Sequence, residues 1–99
     1  MMKASENGHM KVVSLLADKG AALDSANIEG VTSMMYASLN GHVKVVSLLA
    51  DKGAALDSAN IEGVTSMMYA SLNGHVNVVS LLADKGVALD SANIEVIRL

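Results

Sequence analysis

The sequence predicts an all-α solenoid of helix-turn-helix repeats joined by long hairpin-like loops, and three observations carry that reading. Gly8, Gly41 and Gly74, then His9, His42 and His75, then Gly20, Gly53 and Gly86 each recur at a spacing of 33 across the 99 residues. Each period holds two short apolar runs separated by an Asn-Gly pair, the pattern of a helix, a turn and a second helix. The composition is 52% hydrophobic with two Tyr, seven Met and no Phe, Trp, Pro or Cys, so any core is aliphatic. Two short helices have no third layer in which to bury their apolar sides, and stacking neighbouring units supplies it. The chain is therefore expected to be one repeat domain of three units, 1–33, 34–66 and 67–99.

The units are unusually uniform. The first and second differ at three positions (Lys3/Tyr36, Glu6/Leu39 and Met10/Val43) and the second and third at six, four of them the last four residues of the chain. Such uniformity marks either a recent duplication or an engineered array. Within a unit, Thr32 or Thr65 precedes Ser-Met-Met-Tyr-Ala-Ser-Leu, a short helix whose unpaired first-turn amides a threonine hydroxyl can accept. Asn40-Gly41 and Asn73-Gly74 end that helix, because both residue types tolerate the positive φ that reverses the chain. A second helix is expected from Val43 to Asp51, with Val45, Val46, Leu48, Leu49 and Ala50 apolar and Lys44, Ser47 and Asp51 on the opposite, solvated face. Gly53 caps it. Residues 54–64 are too polar and broken for a third helix, and Asn60 to Gly63 has the composition of a hairpin tip reaching the next unit.

Charge and motif patterns exclude several functions. Seven basic against ten acidic residues give a net charge of −3, the wrong sign for neutralising phosphates, so nucleic acid is not an expected partner. Apolar runs are interrupted well short of the ~20 residues a membrane helix requires. No signal pattern follows Met1, so no membrane partner and a cytoplasmic, reducing location are expected. His9, His42 and His75, and the trio Ser38, His42 and Asp51, contain the residue types of a metal site and a nucleophilic triad. Equivalent positions in a stack sit on the order of 10 Å apart, whereas zinc gathers its nitrogens at about 2.1 Å. A histidine at a helix start beside a glycine turn reads instead as a hydrogen-bonded structural residue. No enzymatic activity, metal or cofactor is expected. The pairs Met34-Met35 and Met67-Met68 are read as core filling rather than as a plastic binding stripe.

The segment 30–57, Gly-Val-Thr-Ser-Met-Met-Tyr-Ala-Ser-Leu-Asn-Gly-His-Val-Lys-Val-Val-Ser-Leu-Leu-Ala-Asp-Lys-Gly-Ala-Ala-Leu-Asp, is similar to the ankyrin repeat. The most specific parts are the Gly41-His42 turn, the Val45-Val46-x-Leu48-Leu49 helix and the Gly53-Ala54 step, in register across three copies. There are departures. The family's Thr-Pro-Leu-His opening is here Thr32-Ser33-Met34-Met35, which removes a helix-favouring proline and a histidine that commonly ties the loop, and implies lower local stability. The family's Gly-Ala-Asp-Val-Asn is here Gly53-Ala54-Ala55-Leu56-Asp57, and Asn60 stands where aspartate is common, which leaves the inter-repeat hydrogen bonds of that loop unassigned. Lys3 and Glu6 resemble the polar adaptation of a terminal repeat, and the frame reads as permuted or truncated relative to the family.

The resemblance implies a protein-binding scaffold that makes its contacts through hairpin tips and the exposed side of the first helices. By position these are Ile28, Glu29, Val31, Leu39 and Asn40, then Ile61, Glu62, Val64, Leu72 and Asn73, with Lys52 and Lys85 at the ends of the second helices. An Ile, Val and Leu ladder flanked by Glu has the make-up of an interface with an apolar centre and a polar rim. The competing reading is that the ladder packs against the neighbouring repeat and the glutamates are merely solvated. The expected partner is another protein, whose identity the sequence does not encode. A homodimer or end-to-end stack is the alternative, since the C-terminal unit keeps its internal apolar residues and Ile94, Val96, Ile97 and Leu99 form a β-prone apolar tail. That tail has two readings, a lid on its own chain or a contact with another. A third function reading is an engineered minimal scaffold with no partner of its own.

Overall fold

The computed structural model describes residues 1–88, so Ile94, Val96, Ile97 and Leu99 lie outside the described residues. Six helices follow one another: α1 (Met2–Glu6), α2 (Met10–Asp18), α3 (Ser33–Leu39), α4 (Val43–Asp51), α5 (Ser66–Leu72) and α6 (Val76–Asp84). The second helix of the middle unit has the bounds expected from its glycine and aspartate punctuation. Thr32 and Thr65 cap α3 and α5, their hydroxyl oxygens accepting from the Met35 and Met68 amides at 3.3 Å. Among the described residues there is no strand, only isolated antiparallel bridges between Ala26 and Thr32 and between Ala59 and Thr65 at the base of each hairpin.

The turns between paired helices show why the sequence carries Asn followed by Gly. Gly41 donates its amide to Ser38 O at 3.2 Å and His42 donates to Ala37 O at 2.9 Å. These are the two reciprocal bonds that satisfy the last carbonyls of a helix when the residue after the cap is left-handed. Gly41 takes that conformation, at φ +73°, whereas Asn40 stays at φ −97°. The expectation that both residues use positive φ is thus corrected: glycine alone bends the chain, and the asparagine side chain is free for another task.

Two layers result. The first helices pack in one row, α1 on α3 and α3 on α5, and the second helices in another, α2 on α4 and α4 on α6, with each pair closed internally. The core between the layers contains Val13, Met34, Ala37, Val45, Val46, Leu49, Met67, Ala70, Val78 and Leu82. Ala37 and Ala70 are fully buried, and their small side chains let the first helices approach closely. Met34, Met35 and Met67 fill the core while Met68 is only half-buried, which supports core filling over an exposed methionine stripe. Each fully buried Met, Leu or Val contributes about 1.5–3 kcal/mol relative to its exposed state.

A close approach of repeat on repeat rests on glycine. A Cβ placed at Gly41 would stand 2.6 Å from the His75 ring, and one at Gly8 would stand 2.7 Å from the His42 ring, whereas a Cβ at Gly74 meets nothing within 4 Å among the described residues. All three have the same left-handed φ. Replacement by alanine should therefore cost ~1 kcal/mol in backbone strain at every site, with ~1–3 kcal/mol more from overpacking at Gly8 and Gly41. Urea unfolding of Gly41→Ala and Gly74→Ala reads the difference directly; equal losses would show that the close approach contributes nothing.

Candidate protein-interaction surface

The hairpin tip is organised by one side chain. Asn60 accepts the Glu62 and Val64 amides on its Oδ1 at 2.9 and 3.0 Å and donates through Nδ2 to the Tyr69 hydroxyl at 2.7 Å. Asn27 repeats the arrangement with the Glu29 and Val31 amides and the Tyr36 hydroxyl. Two backbone amides facing one oxygen fix the amide orientation and leave the nitrogen for the tyrosine. The loop tie that the missing histidine would supply is thus made by tyrosine and asparagine. A second link unassigned from the sequence is the Asp24 carboxylate, which accepts the Ala55 amide at 2.8 Å and joins one loop to the next.

Adjacent tips are held side by side, with the Ile61 amide donating to Glu29 O at 3.0 Å. On this platform Ile28 is 97% and Ile61 73% exposed, and the Glu29 and Glu62 side chains are exposed beside them. Val31 departs from expectation: it is 8% exposed, because the next hairpin closes over this strand of the loop, bringing Asn60 and Ile61 backbone against Gly30. Val64 and Leu39 are half-buried, and Leu72 is exposed. The ladder expected from sequence therefore divides: isoleucines at the tips face solvent, while valines on the inner limb face protein.

The expected polar contacts are spent between repeats. Asn40 Nδ2 donates to Glu6 O at 2.9 Å and Asn73 Nδ2 to Leu39 O at 2.8 Å. The Lys52 ammonium pairs with Asp18 at 2.8 Å and Lys85 with Asp51 at 3.0 Å, each joining the ends of successive second helices. These partly exposed pairs are worth at most ~1 kcal/mol each and set register more than stability. At the N-terminal end Lys3 pairs with Glu6 at 3.4 Å.

The histidines divide in the same way. His42 Nε2 lies 2.8 Å from Glu6 O and His75 Nε2 2.9 Å from Leu39 O; because a carbonyl only accepts, that ring nitrogen carries the proton. Each helix-terminal carbonyl thus receives both the asparagine and the histidine of the following repeat. The Ser38 hydroxyl is fully buried without a hydrogen-bond partner, so it is not joined to His42. No three His, Cys, Asp or Glu side chains gather to hold a metal ion among the described residues, and no helix among them is long and apolar enough to cross a membrane.

This geometry can be compared with known proteins. A family model of ankyrin repeats, in three copies, matches residues 1–93. The chain belongs to the ankyrin repeat family. Among solved structures, the crystal structure of the human ASB11 ankyrin repeat domain superposes with a TM-score of 0.86 at 25% identity, covering 90% of this chain. The present ankyrin chain spans 40% of the length of that one. A search of curated proteins found no match.

Two measurements check the ankyrin loop and its buried hydroxyl. Asn60→Ala should cost about 2 kcal/mol by leaving two loop amides unsatisfied, and Tyr69→Phe about 1 kcal/mol, with a double-mutant cycle giving a coupling near the smaller value. Additive losses would mean that the Tyr69 contact is not energetic. Ser38→Ala removes an unsatisfied hydroxyl and should raise stability by about 1 kcal/mol in the same denaturant titration; a loss would show that the hydroxyl is bonded in solution.

Proposed function

We propose that this ankyrin chain is a non-catalytic protein-interaction module whose partner docks on the paired hairpin tips. Ankyrin repeats are in general protein–protein interaction modules, and the near-complete exposure of Ile28 is the observation that carries the site. A fully solvated isoleucine at the summit of a hydrogen-bonded tip supplies apolar contact area at low ordering cost, because the backbone beneath it is already fixed. Its neighbour Ile61 repeats the contact and the glutamates surround it with negative charge. The partner this favours presents an aliphatic side chain flanked by lysine or arginine, the apolar group seated between the isoleucines and the cations on the acidic rim.

The proposed contact set is accordingly narrower than the full row of positions. Ile28, Glu29, Ile61 and Glu62 carry it, with Leu72 exposed on the adjoining helix end. Asn40, Asn73, Lys52 and Lys85 already serve neighbouring repeats. A partner taking their bonds would have to replace what the fold loses.

A second reading, self-association, is favoured by Leu72 and Val76, which stand exposed on the C-terminal side of the stack where their counterparts in the preceding repeat are partly covered.

Selection of peptides from a random displayed library on the immobilised chain tests the tip site. Bound sequences should combine an aliphatic residue with Lys or Arg, and should bind Ile28→Arg/Ile61→Arg at least tenfold more weakly, the scale of losing ~1.4 kcal/mol at an interface centre. The circular dichroism of that variant should match the parent's. Selected peptides that ignore the double replacement would place the site elsewhere.

A further inference from the structure

The uniformity of the repeats leaves two opposite faces of the described structure chemically complementary. On the N-terminal side, Val12 is 47% exposed although its equivalents Val45 and Val78 are 1% exposed, and Leu15 is exposed where Leu48 and Leu81 are half-buried. What separates these positions is the preceding repeat that packs on Val45 and Val78. On the C-terminal side, Val76 is 74% exposed where Val43 is half-buried under the following repeat. There Ser71, Gly74, His75, Val76 and Val79 line an open, mostly apolar depression of about 360 Å³.

The polar groups match one for one. Inside the chain, Glu6 O and Leu39 O each receive an asparagine and a histidine from the next repeat. Leu72 O, the third member of the series, has no partner among the described residues, and neither do the Asn7 amide nitrogen and the His9 ring that begin it. Gly8 and Gly41 each lie beneath a histidine ring, and Gly74 lies beneath none among the described residues. Asp18 and Asp51 each pair with a lysine of the following repeat, which leaves Asp84 unpaired at one end and Lys19 unpaired at the other. The face ending at Asp84 therefore lacks a set of donors that the face beginning at Asn7 presents, in the same relative positions.

We infer that the C-terminal face takes the N-terminal face of a second copy of this chain, head to tail, as a deepening of the self-association reading above. In this contact Asn7 and His9 of one copy donate to Leu72 O of the other, with the His9 ring seated over Gly74. Lys19 pairs with Asp84. Val12 and Leu15 cover the apolar depression around Val76 and Val79. The contact is heterologous, so each copy keeps one free face and growth does not stop at two.

The experiment uses the full chain and two face-blocked variants, Val12→Glu and Val76→Glu, each replacing an exposed helical residue. Sedimentation equilibrium from about 1 µM to about 1 mM, the range of weak specific contacts, should show parent mass rising past that of two chains. Each variant alone should remain a single chain with unchanged circular dichroism. Their equimolar mixture should form a closed pair of one copy of each, because the intact N-terminal face of Val76→Glu meets the intact C-terminal face of Val12→Glu. A parent that stays a single chain throughout, as when residues 89–99 of its own chain cover the depression, overturns self-association itself. A parent that associates while either variant alone still does so, or while the mixture forms no pair, overturns the head-to-tail contact and leaves another self-association surface. As a second variant pair, Lys19→Asp should weaken parent association at least threefold and Lys19→Asp with Asp84→Lys should restore it; restoration failing while the parent associates also counts against the contact.

Discussion

Everything in this fold depends on what happens at the last carbonyl of each first helix. A helix end leaves carbonyls without intrahelical partners, and here the final one is turned outward and receives two donors from the following repeat, an asparagine amide and a histidine ring. The contact is possible because the next residue in the turn but one is glycine: its left-handed backbone reverses the chain, and its missing Cβ makes room for the ring. One residue type therefore serves two ends at once. The asparagine that ends a helix in its own repeat reaches back to the helix end of the repeat before, so local termination and long-range register are set by the same few atoms.

Around that contact the remaining interactions fall into a hierarchy of magnitude. Burial of the aliphatic core supplies most of the stabilisation, at about 1.5–3 kcal/mol for each large side chain. It is indifferent to register, because near-identical apolar faces pack almost equally well after a slip. The directional groups remove that freedom. The Asp18–Lys52 and Asp51–Lys85 pairs, the Asp24 bond to the Ala55 amide and the Ile61 bond to Glu29 O each join positions about one repeat apart. Individually they are weak, but each is satisfied only in the correct alignment. The core thus decides that repeats stack and the polar ladder decides how.

This division explains what the residues disclosed in advance. The period, the threonine caps and the bounds of α4 follow from local chemistry: a cap, a glycine and an apolar spacing lie within a few residues of one another and their meaning survives without knowledge of the fold. The pairing of Asp18 with Lys52 does not, since its partners are 34 residues apart. The available signal was recurrence, with Asp51 and Lys85 repeating the pair at the same offset. The same limitation hid the division of the hairpin ladder. Ile28 and Val31 look alike as exposed apolar loop residues, and only the neighbouring hairpin lying against Gly30 separates a solvated tip from a covered limb. The Tyr36 and Tyr69 hydroxyls were also missed as loop ties, because the family pattern directed attention to a histidine this chain lacks; the coincidence of a tyrosine nine residues after each of Asn27 and Asn60 was the visible clue.

Uniform repetition has a consequence for recognition as well as for folding. In an array whose repeats differ, interior residues are constrained by neighbours while tips diverge, and each tip presents a different chemistry. Here Ile28-Glu29 and Ile61-Glu62 are the same dipeptide on the same hydrogen-bonded support. The exposed surface therefore offers one short motif twice, side by side. A ligand that engages one tip meets an identical second tip within reach, and the second contact forms at the effective concentration set by the first. Affinity built this way comes from geometry rather than from any individually strong pair. It favours ligands that themselves repeat an aliphatic and basic pattern at the spacing of adjacent tips, because a ligand with one such group gains only half of what the surface can provide.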